Sequence, residues 1–377
     1  VPSHRSIPLP LVKQGEFFMR VCNACRYCEG YCAVFPALER RLTFSEGDLA
    51  YLANLCHNCG SCYDACQYAP PHEFELNFPR ALARIRQATY RRYAWPGFLA
   101  PLFDRNAVAV SLVVALSLAL FMAGMSLASG AAMFSAHPDA QGSFYAVLSH
   151  TAMVVPFGAV SIAVLAAFAV GFTRFWRDTG EPFRVLLIPA AWARAVRDIA
   201  KLTHLDGTGE GCIEPGAEKS RARRWFHHAT FYGFLLCFAS TTTAAIYHYV
   251  FGWYAPYAVM SVPVVLGGVG GIGLLVGPVG QLWLSSRRSG HMLDAAQTGM
   301  DVAFIVLLLL TGATGLLLLA LRETAAMGVL LALHLGAVLA LFLTMPYGKF
   351  AHALYRAAAL LRFAIEEAGA APKSGSD

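Results

Sequence analysis

Cys22-Asn-Ala-Cys25-Arg-Tyr-Cys28-Glu-Gly-Tyr-Cys32 occupies residues 22–32, and Cys56-His-Asn-Cys59-Gly-Ser-Cys62-Tyr-Asp-Ala-Cys66 occupies residues 56–66. Both copies follow one spacing, Cys-x2-Cys-x2-Cys-x3-Cys, and together they use eight of the ten cysteines. Three thiolates at x2 intervals can wrap one iron–sulfur cube, and the fourth, after x3, reaches the other cube. The spacing therefore predicts two [4Fe–4S] clusters with crossed ligand sets. One is Cys22, Cys25, Cys28 and Cys66; the other is Cys56, Cys59, Cys62 and Cys32. Structural zinc is the competing reading, but zinc sites use two separated pairs rather than runs of four. No cysteine of either run is replaced, which argues against a three-iron cluster. His57 and His72 lie nearby, and complete cysteine sets leave them no ligand duty.

Outward from these runs the chain turns apolar. Of its 377 residues 57% are hydrophobic and 14% charged, against roughly 25% charged in soluble domains. Six stretches are long and apolar enough to cross a bilayer, near 107–129, 150–172, 226–250, 257–284, 300–321 and 327–345. The expected fold is all-α: a helical two-cluster ferredoxin-like domain over 1–100, with helices at 36–55 and 74–92, then a six-helix transmembrane bundle over 101–365. A disordered tail is expected over 366–377. The fourth stretch holds Gly267, Gly268, Gly270, Gly271 and Gly273. Close helix packing accounts for them, since no phosphate-loop or dinucleotide pattern surrounds them.

The formal charge is +6, from 29 Lys and Arg against 23 Asp and Glu. The cations sit beside apolar stretches, which points to membrane topology rather than to nucleic acid. The connection 173–225, expected to be partly helical, is rich in arginine, whereas 130–149 and 251–256 contain no Lys or Arg. The positive-inside rule then places both termini in the cytoplasm of a bacterium, in its inner membrane. A reducing compartment suits eight clustered thiols. No secretory signal is expected, because 1–13 is short and Pro-rich. Trp176, Trp192 and Trp225 are expected in an interfacial belt.

Ionisable side chains in spans need a reason. His334 and His352 bracket the sixth span. They are 18 positions apart (352 − 334), about five turns at ~3.6 residues per turn, so one helix would carry both on one face, with Pro346 bending it. His227 and His228 open the third span, His248 closes it, and His150 opens the second. Imidazoles at matching depths suit bis-histidine haem b. The expected outer haem uses His334 with His248 or His150; the inner one uses His352 with His227 or His228, with Arg223, Arg224 and Lys349 near its propionates. Interfacial placement, or a proton path to a quinone, is the alternative. Asp294, Asp301, His291 and Tyr347 are candidates for proton handling. Cys212 is unassigned, and Cys237 reads as a small core residue.

The cysteine runs quoted above, together with Cys66-Gln-Tyr-Ala-Pro-Pro-His72-Glu-Phe, Arg224-Trp-Phe-His227-His228 and Tyr247-His248-Tyr249, resemble the tricarballylate- or citrate-utilisation protein B family over nearly the whole chain. Ala33 and Gln67 stand where bacterial ferredoxins often carry Pro, and the domain is similar instead to the all-helical one of succinate dehydrogenase iron–sulfur subunits. Thr314-Gly315, His334 and Pro346-Tyr347-Gly348-Lys349 before His352 resemble, more weakly, the haem-bearing subunit of respiratory nitrate reductase. The family resemblance implies a membrane oxidoreductase component. It would reoxidise the reduced FAD of a soluble partner acting on tricarballylate, and would pass electrons through the clusters and one or two haems b to quinone. In some relatives a similar module serves a flavoprotein of cobalamin synthesis. The rival is a redox-sensing or anchoring membrane protein without quinone turnover. A transporter is disfavoured, since no inverted repeat is apparent.

Overall fold

The structure, a computed structural model, describes residues 7–137, 143–207, 211–213, 219–288 and 290–370. The cysteine domain is built from α1 (Leu9–Cys25), α2 (Val34–Glu39), α3 (Glu46–Leu55), α4 (Ser61–Asp64) and α5 (Phe78–Tyr93). The single helix expected over 36–55 is two helices. Ser45 breaks it: its side chain accepts from the Asp48 amide at 3.2 Å while the Asp48 carboxylate accepts from the Ser45 amide at 3.1 Å. This reciprocal cap fixes a new helix start.

Six helices are long and apolar enough to span a membrane: α6 (Asn106–Ser129, continued by a 3-10 segment to Phe134), α8 (His150–Asp178), α10 (Ala222–Phe251), α11 (Val262–Ser286), α12 (Ala295–Leu321) and α13 (Met327–Thr344, followed by a 3-10 turn to Tyr347). A short α7 (Ser143–Val147) precedes α8. Leu112, Leu116, Ile162, Leu165, Val269 and Ile272 are exposed on these helices, as lipid-facing residues must be when the backbone satisfies itself internally.

α10 and α11 form the tightest seam. A Cβ at Gly233 would stand 2.9 Å from the Gly270 carbonyl oxygen, and one at Gly273 would stand 2.8 Å from that of Ala229. The glycines of the fourth span are therefore packing residues, as their pattern predicts.

Two elements depart from the linear reading. The connection after α8 contains α9 (Pro189–Lys201) and a two-stranded antiparallel hairpin, β1 (Cys212–Ile213) and β2 (Lys219–Ser220). The chain also does not continue α13 through His352. Pro346 lies in the 3-10 turn, Gly348 is extended at φ −143°, and a separate helix α14 (Ala351–Ala370) begins. The same-face argument for His334 and His352 fails, because a proline-bearing turn separates them. α14 covers 366–370, part of the expected tail; 371–377 lie outside the described residues.

α14 lies along the cysteine domain and shares its core. Tyr355, Ala359, Leu360 and Phe363 pack with Tyr90, Tyr93, Phe175 and the leucines of α3. The Tyr355 and Tyr90 rings stack at 5.5 Å. Above this core sits an ion cluster. Arg362, its side chain 7% exposed, faces Glu366 at 3.3 Å, Glu181 at 3.5 Å and Asp48 at 3.8 Å. Arg41 bonds Asp48 at 2.7 Å and also Glu366. Both guanidiniums lie over the Tyr51 ring. Trp176 is fully buried under α9 and α14, so it is a core residue and not part of the expected interfacial belt. Trp192 and Trp225 are exposed.

Candidate metal centres

α1 ends at Cys25, where Arg26 turns left-handed (φ 55°) and its amide bonds the Cys22 carbonyl at 2.9 Å. That reversal brings Cys28 back toward Cys22. Cys66 arrives from beyond α4. Cys22, Cys25, Cys28 and Cys66 line one pocket, closed by Phe35, Leu76 and Phe78. A second pocket is lined by Cys32, Cys56, Cys59 and Cys62 with His57. The two are small and nearly equal, about 30 and 20 Å³. The x3 cysteine of each run lines the pocket of the other run. Cys62 borders both.

The second run wraps by two left-handed residues, Asn58 (φ 55°) and Gly60 (φ 96°). The Asn58 amide donates to Cys56 Sγ at 3.3 Å. Gly60 also admits the α11–α12 turn, since a Cβ there would meet Met292 Sδ at 2.9 Å. Arg86 braces the same loop, donating to the Cys56 carbonyl at 2.7 Å.

Burial, then mutual repulsion, raises the thiols of Cys22, Cys32 and Cys62, and pushes Cys28 up to about 12. Four thiolates in one desolvated pocket need a cation to offset them, so filling by iron is coupled to proton release. Cys59 is the exception. A hydrogen bond with Cys212, opposed by burial and helped by the Ser61 amide, holds it well below the usual thiol range. Among the described residues, no three Cys, His, Asp or Glu side chains converge on a single ion. The sulfurs instead ring two pockets, four or more to each. The residues fit the predicted clusters.

The histidines sort unequally. His352, on α14, is placed 6.4 Å from His227 of α10, ring centre to ring centre, with 39° between planes. One iron between two imidazoles, ~2 Å from each nitrogen, puts ring centres about 6 Å apart. His352 Nδ1 is tied to the Lys349 carbonyl at 2.6 Å, which leaves Nε2 for a metal, the usual outer-shell arrangement. His227 Nδ1 is buried without a hydrogen-bond partner. This pair fits a haem iron. His228 instead packs on Tyr232 and Trp225.

Neither His150 nor His248 stacks on His334 among the described residues. His150 and His248 stack on each other at 3.8 Å and 4°, too close for an iron between them. His334 meets Thr314 Oγ1 at 3.2 Å, and Gly315 makes room for its ring. Among the described residues, it stacks on no other histidine. Of the proton-handling candidates, Asp294 and Asp301 both accept from Gln297, and each also has a cation. Asp294 pairs with Arg84 at 2.9 Å, Asp301 with Lys349 at 2.7 Å, and Tyr347 donates to the Trp95 carbonyl at 2.8 Å. Lys349 is thus engaged by Asp301.

Two residues that sequence reasoning did not place at a site join the centres. His57 lines the second pocket and feels the charges of Arg356, His227, His204 and His352. Burial first, then the charge of Arg356, pushes it well below the ordinary histidine range. Arg356 donates to the Leu55 carbonyl at 2.6 Å, and burial lowers it to about 10 against the pull of Cys56, Cys32 and Cys59. Its Nη2 is buried without a hydrogen-bond partner. The only sequence signal for this cation is its spacing of four from His352.

Fold and pockets define a protein with six helices long and apolar enough to span a membrane, joined to a domain with two cysteine-lined pockets. The family description "Citrate utilization protein B" matches residues 101–373, and its companion, "Citrate utilization protein B Fer4-like domain", matches 16–92. A "Citrate utilization protein B" of Escherichia coli is 52% identical over 353 residues, covering 93% of this chain and 92% of the relative. The chain belongs to the citrate utilization protein B family. No solved structure matches it significantly. An iron–sulfur domain of this kind carries an electron-transfer role.

Proposed function

We propose that this chain is the membrane electron-transfer component of a flavoprotein:quinone oxidoreductase, held in the bacterial cytoplasmic membrane with both termini in the cytoplasm. Its partner is a soluble FAD dehydrogenase similar to one acting on tricarballylate. Cys22, Cys25, Cys28 and Cys66 hold one [4Fe–4S] cluster; Cys32, Cys56, Cys59 and Cys62 hold the other; His227 and His352 hold a haem b. When bound, these groups supply one-electron steps between a two-electron flavin and a two-electron quinone.

The observation that carries the reading is the pair of cysteine-lined pockets, held in one chain with His227 and His352 facing each other at 6.4 Å. His57 lines the second pocket. Arg356 supplies a fixed positive charge beside the thiolates, and Lys349 holds His352 in one tautomer through its carbonyl. Phe35, Leu76 and Phe78 close the first pocket with apolar surface, and Phe35 and Phe78 also border the second. The arginines at 174, 177, 184, 194 and 197, on the side of the cysteine domain, support the orientation.

The test is kinetic. Purified protein mixed with reduced partner flavoprotein should show a reduced haem band, and added quinone should reoxidise it. A redox-sensing or anchoring protein would lack that second phase.

A further inference from the structure

α9 turns one face to the core and leaves the other open. Ala191 and Ala195 are buried with Trp176, Leu361 and Ala364. Trp192 and Val196, four apart and so on one stripe, are 44% and 56% exposed. Leu187, the last residue of the 3-10 turn before α9 (Phe183–Leu187), is 82% exposed. The Trp192 indole donates to the Leu186 carbonyl at 2.8 Å, which joins turn and helix into one apolar patch. Arg197 and Lys201, also four apart, add an exposed basic stripe to the same helix. The far end of α9 is pinned to a span. Arg224 Nη2 and the Tyr232 hydroxyl, both of α10, donate to the Lys201 and Ala200 carbonyls, each at 2.7 Å. Tyr232, Leu235 and Phe238 are exposed along α10, so α9 ends against an exposed side of that helix.

We propose that the open face of α9 seats in the inner leaflet and binds anionic lipid. Leu187, Trp192 and Val196 enter the acyl boundary, and Arg197 and Lys201 meet lipid phosphates. The inference rests on the membrane placement proposed above and not on the cofactors. An apolar patch with basic side chains along one flank is the side-chain set of a helix lying in a headgroup layer. Long cationic side chains keep their charge at the phosphates while their stems cover apolar surface. The negative potential of the inner leaflet draws such cations to it. The tie to Arg224 and Tyr232 selects the bilayer over a soluble partner, because it holds the patch beside a span.

Photocrosslinking tests this without touching the cysteines. Benzoylphenylalanine is introduced singly at Val196, at Leu187, at Leu165 on the exposed side of α8, and at Leu42, which is exposed in the cysteine domain. Each full-length protein is irradiated in nanodiscs of phosphatidylcholine with a minor share of phosphatidylglycerol, and adducts are read by mass. Lipid adducts should form at 196, 187 and 165 and not at 42. At 196 phosphatidylglycerol should be enriched about fivefold over its share of the bilayer, as attraction to nearby cations requires. Arg197→Gln with Lys201→Gln should keep the adduct and lose the enrichment. Lipid at 165 but none at 196 or 187 overturns the proposal, as does crosslinking of 196 to protein in place of lipid. Enrichment unchanged in the double variant overturns the role of the basic stripe. No lipid at 165 would sink the membrane placement itself, and that outcome is separate from the others.

Discussion

His227 and His352 face each other at 6.4 Å although one opens the third span and the other lies beyond the end of the sixth. A turn containing Pro346 delivers His352 to that position. The pair therefore depends on a break in the chain.

Replacing either residue with Ala should abolish a bis-histidine haem spectrum in the purified protein. His228→Ala should retain it, since His228 packs on Tyr232. Equal loss in all three variants would contradict the pairing.

The crossed cysteine sets make a sharper prediction than cluster loss in general. Cys66→Ser should remove the same paramagnetic signal as Cys22→Ser, and Cys32→Ser the same signal as Cys56→Ser. If Cys66→Ser instead silences the signal that depends on Cys56, the fourth ligands do not cross.

The ion cluster over Tyr51 holds α14 to the cysteine domain. Glu366→Gln leaves Arg362 partly uncompensated, and breaking one partner of a buried pair costs on the order of 3 kcal/mol. Faster proteolysis of the cysteine domain and a lower unfolding midpoint are the expected readouts. The pH sign follows from Asp48. Burial raises its pKa, but hydrogen bonds from Arg41 and Ser45 outweigh that, so the net shift is downward. Its contribution is full above the unfolded value of about 4 and is lost as pH falls through the folded one. Asp48→Asn should flatten the acid limb of a stability–pH curve; an unchanged limb would assign the acid sensitivity elsewhere.

Gly233→Val should disrupt the α10–α11 seam, because the added carbon meets the Gly270 carbonyl. Overpacking of this kind costs about 1–3 kcal/mol or more. Gly158→Ala, in α8 with nothing within 4 Å of its Cβ, is the matched control and should be neutral. Detergent-solubilised melting curves distinguish them.

The legible parts of this protein are those written at short range. Cysteine spacing located both pockets, since a cube's ligands come from one tight loop plus one crossing residue. Apolar length located the spans, and the Gly267–Gly273 run marked a seam. What escaped was tertiary. Nothing local to Pro346 says whether a helix bends or ends. The stacking of His150 on His248 needs two helix ends to meet. Trp176 reads as interfacial until α14 covers it. Cys212 is invisible as a neighbour of Cys59, because some 150 positions separate them (212 − 59 = 153).

Gly60 sits under Met292, Arg86 donates to Gln297 Oε1 of α12 at 3.3 Å, and Tyr355 stacks on Tyr90. The cysteine module is bolted to the bundle at three points and is no tethered shuttle. On the electron-transfer reading proposed above, a donor has to come to a stationary port.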